Sequence, residues 1–227
     1  MTKKYFKSYS ENFLTLLNIL FHPIFLPTYF MFWYFYTSSN VYPILLTQFI
    51  PASLKIQWLL LYASLTSIMP VVILFLMKIF RVISSLNVND IKERKYFFLL
   101  IGIYYWMLFY MFREIYSREL FKPAILITGV MSVTMFLLSL VTSSSFKISL
   151  HSAGYGILTG AFVVFSLLFQ HNYLPEIIFC IFLSGLVMEI RLLSNAHLFI
   201  ELLAGWTIGL LSCISIFLSA YQYFDTL

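Results

Sequence analysis

Long apolar runs alternate with short polar segments along the whole chain. A run of about 20 predominantly apolar residues is long enough to cross a bilayer as an α-helix. The predicted fold class is therefore all-α, a polytopic transmembrane helix bundle of about six or seven spans, with residues 1–227 forming a single domain. The apolar runs that predict these spans lie at about 13–36, 56–80, 96–112, 124–141, 150–169, 177–190 and 198–220.

Three polar segments interrupt this pattern: NVNDIKERK at 87–95, KISLHS at 147–152 and RLLSNAH at 191–197. Two predicted spans separate each segment from the next, and two crossings return the chain to the same side of the membrane. We therefore expect the three segments to face one side and to converge on a single site. The turns at 113–122 and 170–176 are expected on the opposite side.

The composition supports a membrane protein and narrows its partners. The chain is 61% hydrophobic and 10% charged, with a mean hydropathy of +0.91, whereas about a quarter of the residues of a soluble domain are charged. The net charge of +5 comes from basic residues in short loops. That placement suits membrane lipids with anionic headgroups, so nucleic acid is not an expected partner. The oligomeric state is left open.

Cysteine and histidine usage gives no indication of a metal site. Cys180 and Cys213 both lie in apolar runs, which favours small core residues over a disulfide or a metal ligand. The two cysteines and four histidines show no zinc-ligand spacing. No metal and no other cofactor is therefore predicted.

The third polar segment carries the strongest chemical signal, Arg191-x5-His197-x3-Glu201. Residues four apart share one face of a helix, so Glu201 can accept a hydrogen bond from one nitrogen of His197. That bond fixes the imidazole tautomer and makes the other nitrogen a better nucleophile. Ser194-Asn195 predicts a helix break and an N-cap, which would place His197 in the first turn of the last helix. Backbone N–H groups there favour a phosphate.

The other two segments supply complementary groups. Ser149-Leu150-His151 lies at the start of the fifth predicted span. A serine and a histidine at a helix start can bind an oxyanion and carry a proton. The segment from Asn87 to Arg94 contributes a guanidinium group, which suits bidentate phosphate binding.

These three motifs together resemble the signatures of the type 2 phosphatidic acid phosphatase superfamily. Arg191-x5-His197-x3-Glu201, followed by LLAGWTIG, is similar to the third signature, Ser-Arg-x5-His-x3-Asp. The segment 148–151 resembles the second, Pro-Ser-Gly-His, and Asn87-x6-Arg94 resembles the first, Lys-x6-Arg-Pro. The motifs occur in the family's order and span residues 87 to 209.

The chain departs from the family pattern at several positions. The missing lysine of the first signature removes a phosphate-binding cation, for which Lys92, Lys95 and Lys147 are the candidate substitutes. Glutamate in place of aspartate keeps the chemistry with one more methylene group. The departing residues are Asn87, Lys95, Ile148, Leu150, Ile190 and Glu201.

The resemblance implies a mechanism with two catalytic histidines. His197 would attack the phosphorus and form a phosphohistidine, and Glu201 would orient it. His151 would protonate the leaving alcohol and then activate water. Arginines would replace a divalent cation, so no metal is implied. The residues expected to bind the substrate phosphate are Arg94, Arg191, Ser149, Leu150 and Asn87.

The function predicted on this basis is hydrolysis of a lipid phosphate. The substrate would be a phosphomonoester or diphosphate of a membrane lipid, which requires a site open to water and sideways to lipid. The alternative is a non-catalytic lipid-phosphate binding or transport protein on the same fold. A phosphotransferase that uses the same phosphohistidine is a third interpretation. His22, in the first span, is interpreted either as a packed residue or as part of the lipid entrance.

Basic residues predict the orientation of the chain in the membrane. Ten Lys and Arg residues lie on the side of the three polar segments and four on the other. Setting aside Arg94 and Arg191, which the site would use, leaves eight against four. The count favours a cytoplasmic site, although the face of the site is left open. Small size and simple organisation suggest a bacterial inner membrane.

Overall fold

The structure is a computed structural model that describes residues 16–37, 44–86, 88, 90–115, 119–142 and 146–223. This part of the chain is helical and contains no strand, which confirms the predicted all-α class. Three elements of one turn or little more, Pro23–Phe25, Ile44–Thr47 and Glu119–Phe121, accompany the longer helices. The longer helices are α1 (Leu26–Tyr36), α2 (Ala52–Ala63), α3 (Met69–Ile79), α4 (Ile91–Ile115), α5 (Lys122–Val141), α6 (Leu150–Phe169), α7 (Leu174–Leu193) and α8 (Phe199–Tyr223).

Six segments of the described chain are long and apolar enough to cross a membrane. The protein is therefore an integral membrane protein. A π-helical turn at Ser64–Ile68 joins α2 and α3 into one span, Ala52–Ile79. The segment predicted at 177–190 forms the 20-residue helix α7, but α7 carries charged residues near both ends and is not one of these six. The six are Leu16–Tyr36, Ala52–Ile79, Ile91–Ile115, Lys122–Val141, Leu150–Phe169 and Phe199–Ala220.

Helix α4 begins five residues earlier than the predicted span at 96–112, because Asp90 caps it. Oδ1 of Asp90 accepts hydrogen bonds from the backbone N–H groups of Lys92 (2.8 Å) and Glu93 (3.1 Å). Arg94, placed in a polar loop by the sequence, consequently lies in the first turn of α4 and is buried. The capped helix gives its guanidinium group a rigid base.

Helices α6 and α8 pack closely because glycines leave room for the opposite backbone. A Cβ atom at Gly209 would overlap the carbonyl oxygen of Ala153, and one at Gly156 would overlap the carbonyl oxygen of Trp206. Small residues allow this kind of approach between membrane helices. The packing sets the starts of α6 and α8 side by side, where the backbone N–H of Ser149 donates to the carbonyl of Glu201 at 3.4 Å.

Polar contacts inside the span hold the π-helical turn against its neighbours. The hydroxyl groups of Tyr104 and Tyr105 on α4 donate to the carbonyl oxygens of Leu65 (2.6 Å) and Thr66 (2.7 Å). Ser67 in the same turn donates to the carbonyl oxygen of Ile24 at 2.9 Å. Backbone groups in the bilayer need such partners because no water satisfies them there. The contacts fix α4 and the first span around the cavity described below.

Candidate active site

The three polar segments meet at one end of the helix bundle. Nη2 of Arg94 donates to the carbonyl oxygen of Ile148 at 2.8 Å. The carbonyl oxygen of Lys147 lies 2.8 Å from Nδ1 of His197, and the N–H of Lys147 donates to Oε1 of Glu201 at 2.8 Å. The backbone at 147–148 thus touches both the first and the third segment, so residues distant in the chain form one cluster.

The contacts of His197 determine its tautomer. Nδ1 faces the carbonyl oxygen of Lys147 and lies 3.2 Å from Oε2 of Glu201. Because a carbonyl oxygen only accepts hydrogen bonds, Nδ1 must carry the proton. The neutral ring then presents an unprotonated Nε2, for which no hydrogen-bond partner is found within the described part of the chain. An imidazole held in this way can act as a nucleophile.

Glu201 links His197 to the start of α8. Its Oε2 accepts a hydrogen bond from the N–H of Leu198 (3.0 Å) and also contacts Nδ1 of His197. Its Oε1 accepts from the N–H of Lys147. Helix α8 begins at Phe199, so His197 precedes the helix and does not lie in its first turn as predicted. The turn at Asn195 has a left-handed φ of 50°, and Glu201 caps the helix by reaching back to Leu198.

Positive charge and burial shape the electrostatics of this cluster. Burial, followed by the charges of Arg94 and Arg191, lowers the pKa of His197 to about 4. Burial and the neighbouring charge of Arg94 also lower the pKa of Lys147. His197 is therefore neutral at physiological pH, and both arginines lie close enough to act on it. Each arginine charge also attracts an anion that approaches His197.

A cavity of about 320 Å³ lies beside this cluster. Its basic lining residues are His22, Arg94, His151 and Arg191, and Leu150 lies in the wall beside them. The other lining residues within the described part of the chain are apolar and come from the first span, α3, α4 and the loop between α3 and α4. One part of the cavity is therefore basic and the rest is apolar.

Three nitrogen atoms of the cavity-lining residues are buried and have no hydrogen-bond partner among the residues that the structure describes. They are Nε of Arg94, Nε of Arg191 and Nε2 of His151. Buried polar atoms without a partner are uncommon in folded proteins, and each costs about 1–3 kcal/mol. The other contacts of the two arginines only anchor them, since Arg94 donates to Ile148 and Nη1 of Arg191 donates to Oδ1 of Asn18 at 3.2 Å.

The remaining predicted site residues are placed differently. His197 and Glu201 do not belong to the cavity wall, and both are only 7% exposed. Ser149 is fully buried and its hydroxyl accepts from the N–H of Ser152 at 3.4 Å, so it serves as the N-cap of α6. Asn87 lies outside the described residues.

Two contacts of the cluster carry no signature in the sequence. The carbonyl oxygens of Lys147 and Ile148, which hold His197 and Arg94, belong to the backbone and can be contributed by any residue type. His22 joins the cavity from the first span, and its ring centroid lies 4.8 Å from that of His151. The sequence already singles out His22 as a histidine before Pro23 inside an apolar run, but it leaves a packed residue and a part of the lipid entrance as alternatives.

Among the described residues, no three His, Cys, Asp or Glu side chains cluster in a way that could hold a metal ion. Comparisons with models of protein families, with curated proteins and with solved structures each find no match for this chain. The case for a function therefore depends on the geometry and chemistry of the residues described above.

Proposed function

We propose that this protein is a membrane phosphatase that hydrolyses a phosphomonoester or diphosphate of a membrane lipid through a phosphohistidine. One observation carries the proposal. Nitrogens of Arg94, Arg191 and His151, buried and without a partner among the described residues, line the basic part of a largely apolar cavity next to a neutral histidine. A phosphate group has several acceptor oxygens and a negative charge, so it can satisfy the two guanidinium groups together.

The apolar part of the cavity favours a lipid over a soluble phosphate ester. Its lining from the first span, α3 and α4 matches acyl or prenyl chains in chemistry, while the basic end matches a phosphate headgroup. The tail of a lipid substrate stays in the bilayer, so a route between these helices lets the headgroup enter without exposing the tail to water. Membrane lipids and one lipid phosphate substrate are thus the proposed partners.

The proposed reaction has two steps that share one phosphoryl group. Nε2 of His197 attacks phosphorus with its lone pair, the P–O bond to the lipid alcohol breaks, and His151, which is protonated when the anionic substrate is bound, gives that oxygen a proton. His151 then takes a proton from water, which attacks the phosphohistidine, releases inorganic phosphate and restores neutral His197 and protonated His151. Glu201 keeps the Nδ1 proton of His197 in place during both steps.

Arginine charges supply the electrostatic stabilisation that this reaction needs. Charge on the equatorial oxygens of the phosphoryl group is matched by Arg94 and Arg191, and each such group contributes on the order of 3 kcal/mol to lowering the barrier. The reaction requires the phosphate to reach Nε2 of His197 from the neighbouring cavity. Both arginines line the cavity, and their charges also lower the pKa of His197, so each acts on the cavity and on the histidine.

The distribution of basic residues indicates the proposed face of the membrane, and the small size and simple organisation of the chain indicate the proposed membrane. We place the site on the cytoplasmic face of a bacterial inner membrane, where phosphatidic acid and phosphatidylglycerol phosphate are the candidate substrates. A site on the outer face would favour a polyprenyl diphosphate or a lipid A phosphate. Reactivity of single cysteines introduced in the turns at 113–122 and 170–176 toward an impermeant reagent distinguishes the two orientations.

A second candidate function is binding or transport of a lipid phosphate without turnover. The observation in its favour is that His197 does not belong to the cavity wall, so an anion in the cavity is not in direct contact with the nucleophile. The chain also has asparagine at 87 and leucine at 150, where the family that it resembles has lysine and glycine. Turnover separates the two functions.

The test measures phosphate release by the purified protein in detergent, with EDTA and with each candidate lipid phosphate in turn. We expect turnover that persists in EDTA and is lost in His197→Ala. His171→Ala is the matched control, because His171 is exposed in the turn between α6 and α7. Binding without turnover would support the second candidate instead, and turnover in His197→Ala at the wild-type rate would eliminate the phosphohistidine.

Trapping the intermediate tests the order of the two steps. Brief incubation with a lipid carrying a radioactive phosphate should label the wild-type protein in an acid-labile, alkali-stable form. His197→Ala should take up no label. His151→Ala should retain the label for longer, provided that the first step still occurs with a good leaving group. Label on any residue other than His197 would contradict the assignment of the nucleophile.

A further inference from the structure

His22 lies at a break in the first span and faces the cavity. The span Leu16–Tyr36 is interrupted before the short 3-10 turn Pro23–Phe25, and His22 is the N-cap of this turn. Its side chain is partly exposed and lines the same cavity as Arg94, His151 and Arg191. Its position is therefore set by the backbone break and not by packing on a helix face.

The cap contact fixes the tautomer of His22. Nδ1 accepts a hydrogen bond from the backbone N–H of Ile24 at 3.3 Å. An accepting Nδ1 carries no proton, so the single proton of the neutral ring is on Nε2. His22 thus presents an N–H donor, whereas His197 presents an unprotonated Nε2. Among the described residues, no hydrogen-bond partner is found for Nε2 of His22.

The segment that carries His22 is attached to the basic cluster at two points. The rings of His22 and His151 meet edge to face, with centroids 4.8 Å apart and planes at 78°. One turn earlier, Oδ1 of Asn18 accepts a hydrogen bond from Arg191 at 3.2 Å. The first span therefore contributes to the wall of the basic part of the cavity, together with α4, α6 and α7.

We propose that His22 is a phosphate-binding residue of this site and donates its Nε2 proton to an oxygen of the bound phosphate group. The inference builds on the proposed function, because it assumes that the cavity receives a phosphate. It adds to the site a hydrogen-bond donor from the first span, which lies outside the three polar segments. A neutral donor beside two guanidinium groups adds a directed hydrogen bond without adding charge repulsion between cations.

Two conservative variants separate phosphate binding from the capping role. In His22→Asn, the side-chain oxygen can take over the contact of Nδ1 with Ile24, since asparagine is a good N-cap, but the distal N–H is lost. In His22→Gln, the amide can place an N–H near the position of Nε2, but the cap contact is lost. His22→Asn therefore keeps the capping contact with Ile24, and His22→Gln keeps the distal N–H donor.

The experiment measures the affinity of the purified protein for inorganic phosphate by calorimetry, and KM and kcat for phosphatidic acid in mixed micelles. Loss of one hydrogen bond to an anion should weaken phosphate binding and raise KM by about 10-fold to 100-fold in His22→Asn. His22→Gln should retain most of the wild-type affinity. The reverse order, with His22→Asn unchanged and His22→Gln impaired, would reduce His22 to a helix cap and overturn the proposal.

The two readouts also keep this inference distinct from the proposed function. If no lipid phosphate is hydrolysed but His22→Asn still binds phosphate more weakly than wild type, the phosphatase proposal fails and the role of His22 stands. If hydrolysis occurs and His22→Asn matches wild type in KM and in phosphate affinity, the role of His22 fails and the phosphatase proposal stands. Inorganic phosphate and the lipid together distinguish recognition of the phosphate from recognition of the tail.

A measurement on the wild-type protein covers the case in which a variant does not fold. Diethyl pyrocarbonate modifies accessible imidazoles, and peptide mass spectrometry reports each histidine separately. Phosphate should protect His22 from modification and leave the exposed His171 as reactive as before. Equal modification of His22 with and without phosphate, under conditions where calorimetry detects phosphate binding, would overturn the proposal.

Discussion

Arg94 donates a hydrogen bond from Nη2 to the carbonyl oxygen of Ile148 at 2.8 Å, across a separation of 54 residues in the chain. The bond ties the first turn of α4 to the segment that precedes α6. It uses one edge of a planar guanidinium group and leaves Nε, in the cavity wall, buried without a partner among the described residues. One side chain thus joins two polar segments and retains a donor for an anion.

Replacing Arg94 by lysine should reduce turnover of a lipid phosphate by about 100-fold, as loss of one preorganised donor does in other enzymes. A single ammonium group cannot reproduce the fixed fork of a guanidinium that contacts Ile148 and an anion together. Phosphate release in EDTA measures the effect. Arg81→Lys is the control, because Arg81 is exposed on the same side of the bundle. Equal losses in the two variants would show that Arg94 has no special role.

Replacing Glu201 by glutamine should lower the free energy of unfolding by about 1–3 kcal/mol. The carboxylate accepts from the N–H groups of Lys147 and Leu198 with different oxygens, and an amide would turn its own NH2 group toward one of these donors. Unfolding in detergent, followed by circular dichroism, measures the change. Glu189→Gln is the control, since Glu189 is exposed. An unchanged midpoint in Glu201→Gln would mean that the contacts contribute nothing to stability.

The sequence predicted the helices better than their ends. Apolar runs identify the spans because burial in lipid requires them, and the four-residue spacing of His197 and Glu201 anticipates their contact. The start of α4 was missed because the polar run after Asp90 resembles a loop, although Asp90 followed by Glu93 is a capping pattern. The N-cap predicted at Ser194-Asn195 lies too early in the chain, because α8 begins at Phe199, where Glu201 accepts from the N–H of Leu198, and His197 precedes the helix.

Other features of the site could not be predicted from the sequence. The carbonyl oxygens of Lys147 and Ile148 hold His197 and Arg94, and backbone atoms carry no residue-specific signature. The full burial of Ser149 depends on how closely α6 and α8 approach. The place of His22 beside His151 depends on tertiary packing of the first span, which local sequence does not encode.

Replacing Gly209 by alanine should destabilise the protein by about 1–3 kcal/mol, because the new methyl group would overlap the carbonyl oxygen of Ala153 and force α6 and α8 apart. Gly185→Ala is the matched control, since a Cβ atom there meets no other atom within 4 Å. Thermal unfolding and gel filtration of both variants in one detergent measure the difference. A Gly209→Ala protein as stable as Gly185→Ala would contradict the close packing of the two helices.

The low pKa of His197 should make stability depend on pH below neutrality. Burial and the charges of Arg94 and Arg191 lower this pKa from 6.5 to about 4 in the folded protein. The unfolded chain therefore binds a proton between these values that the folded protein does not. The free energy of unfolding should be unaffected by His197 above pH 6.5 and should fall as the pH decreases toward 4. Measuring the free energy of unfolding of wild type and His197→Gln over this pH range isolates the contribution of His197, because the variant cannot titrate at this position. The same dependence on pH in both proteins would contradict the prediction. Arg191→Gln should raise the pKa of His197 and so narrow the pH range over which the free energy of unfolding falls.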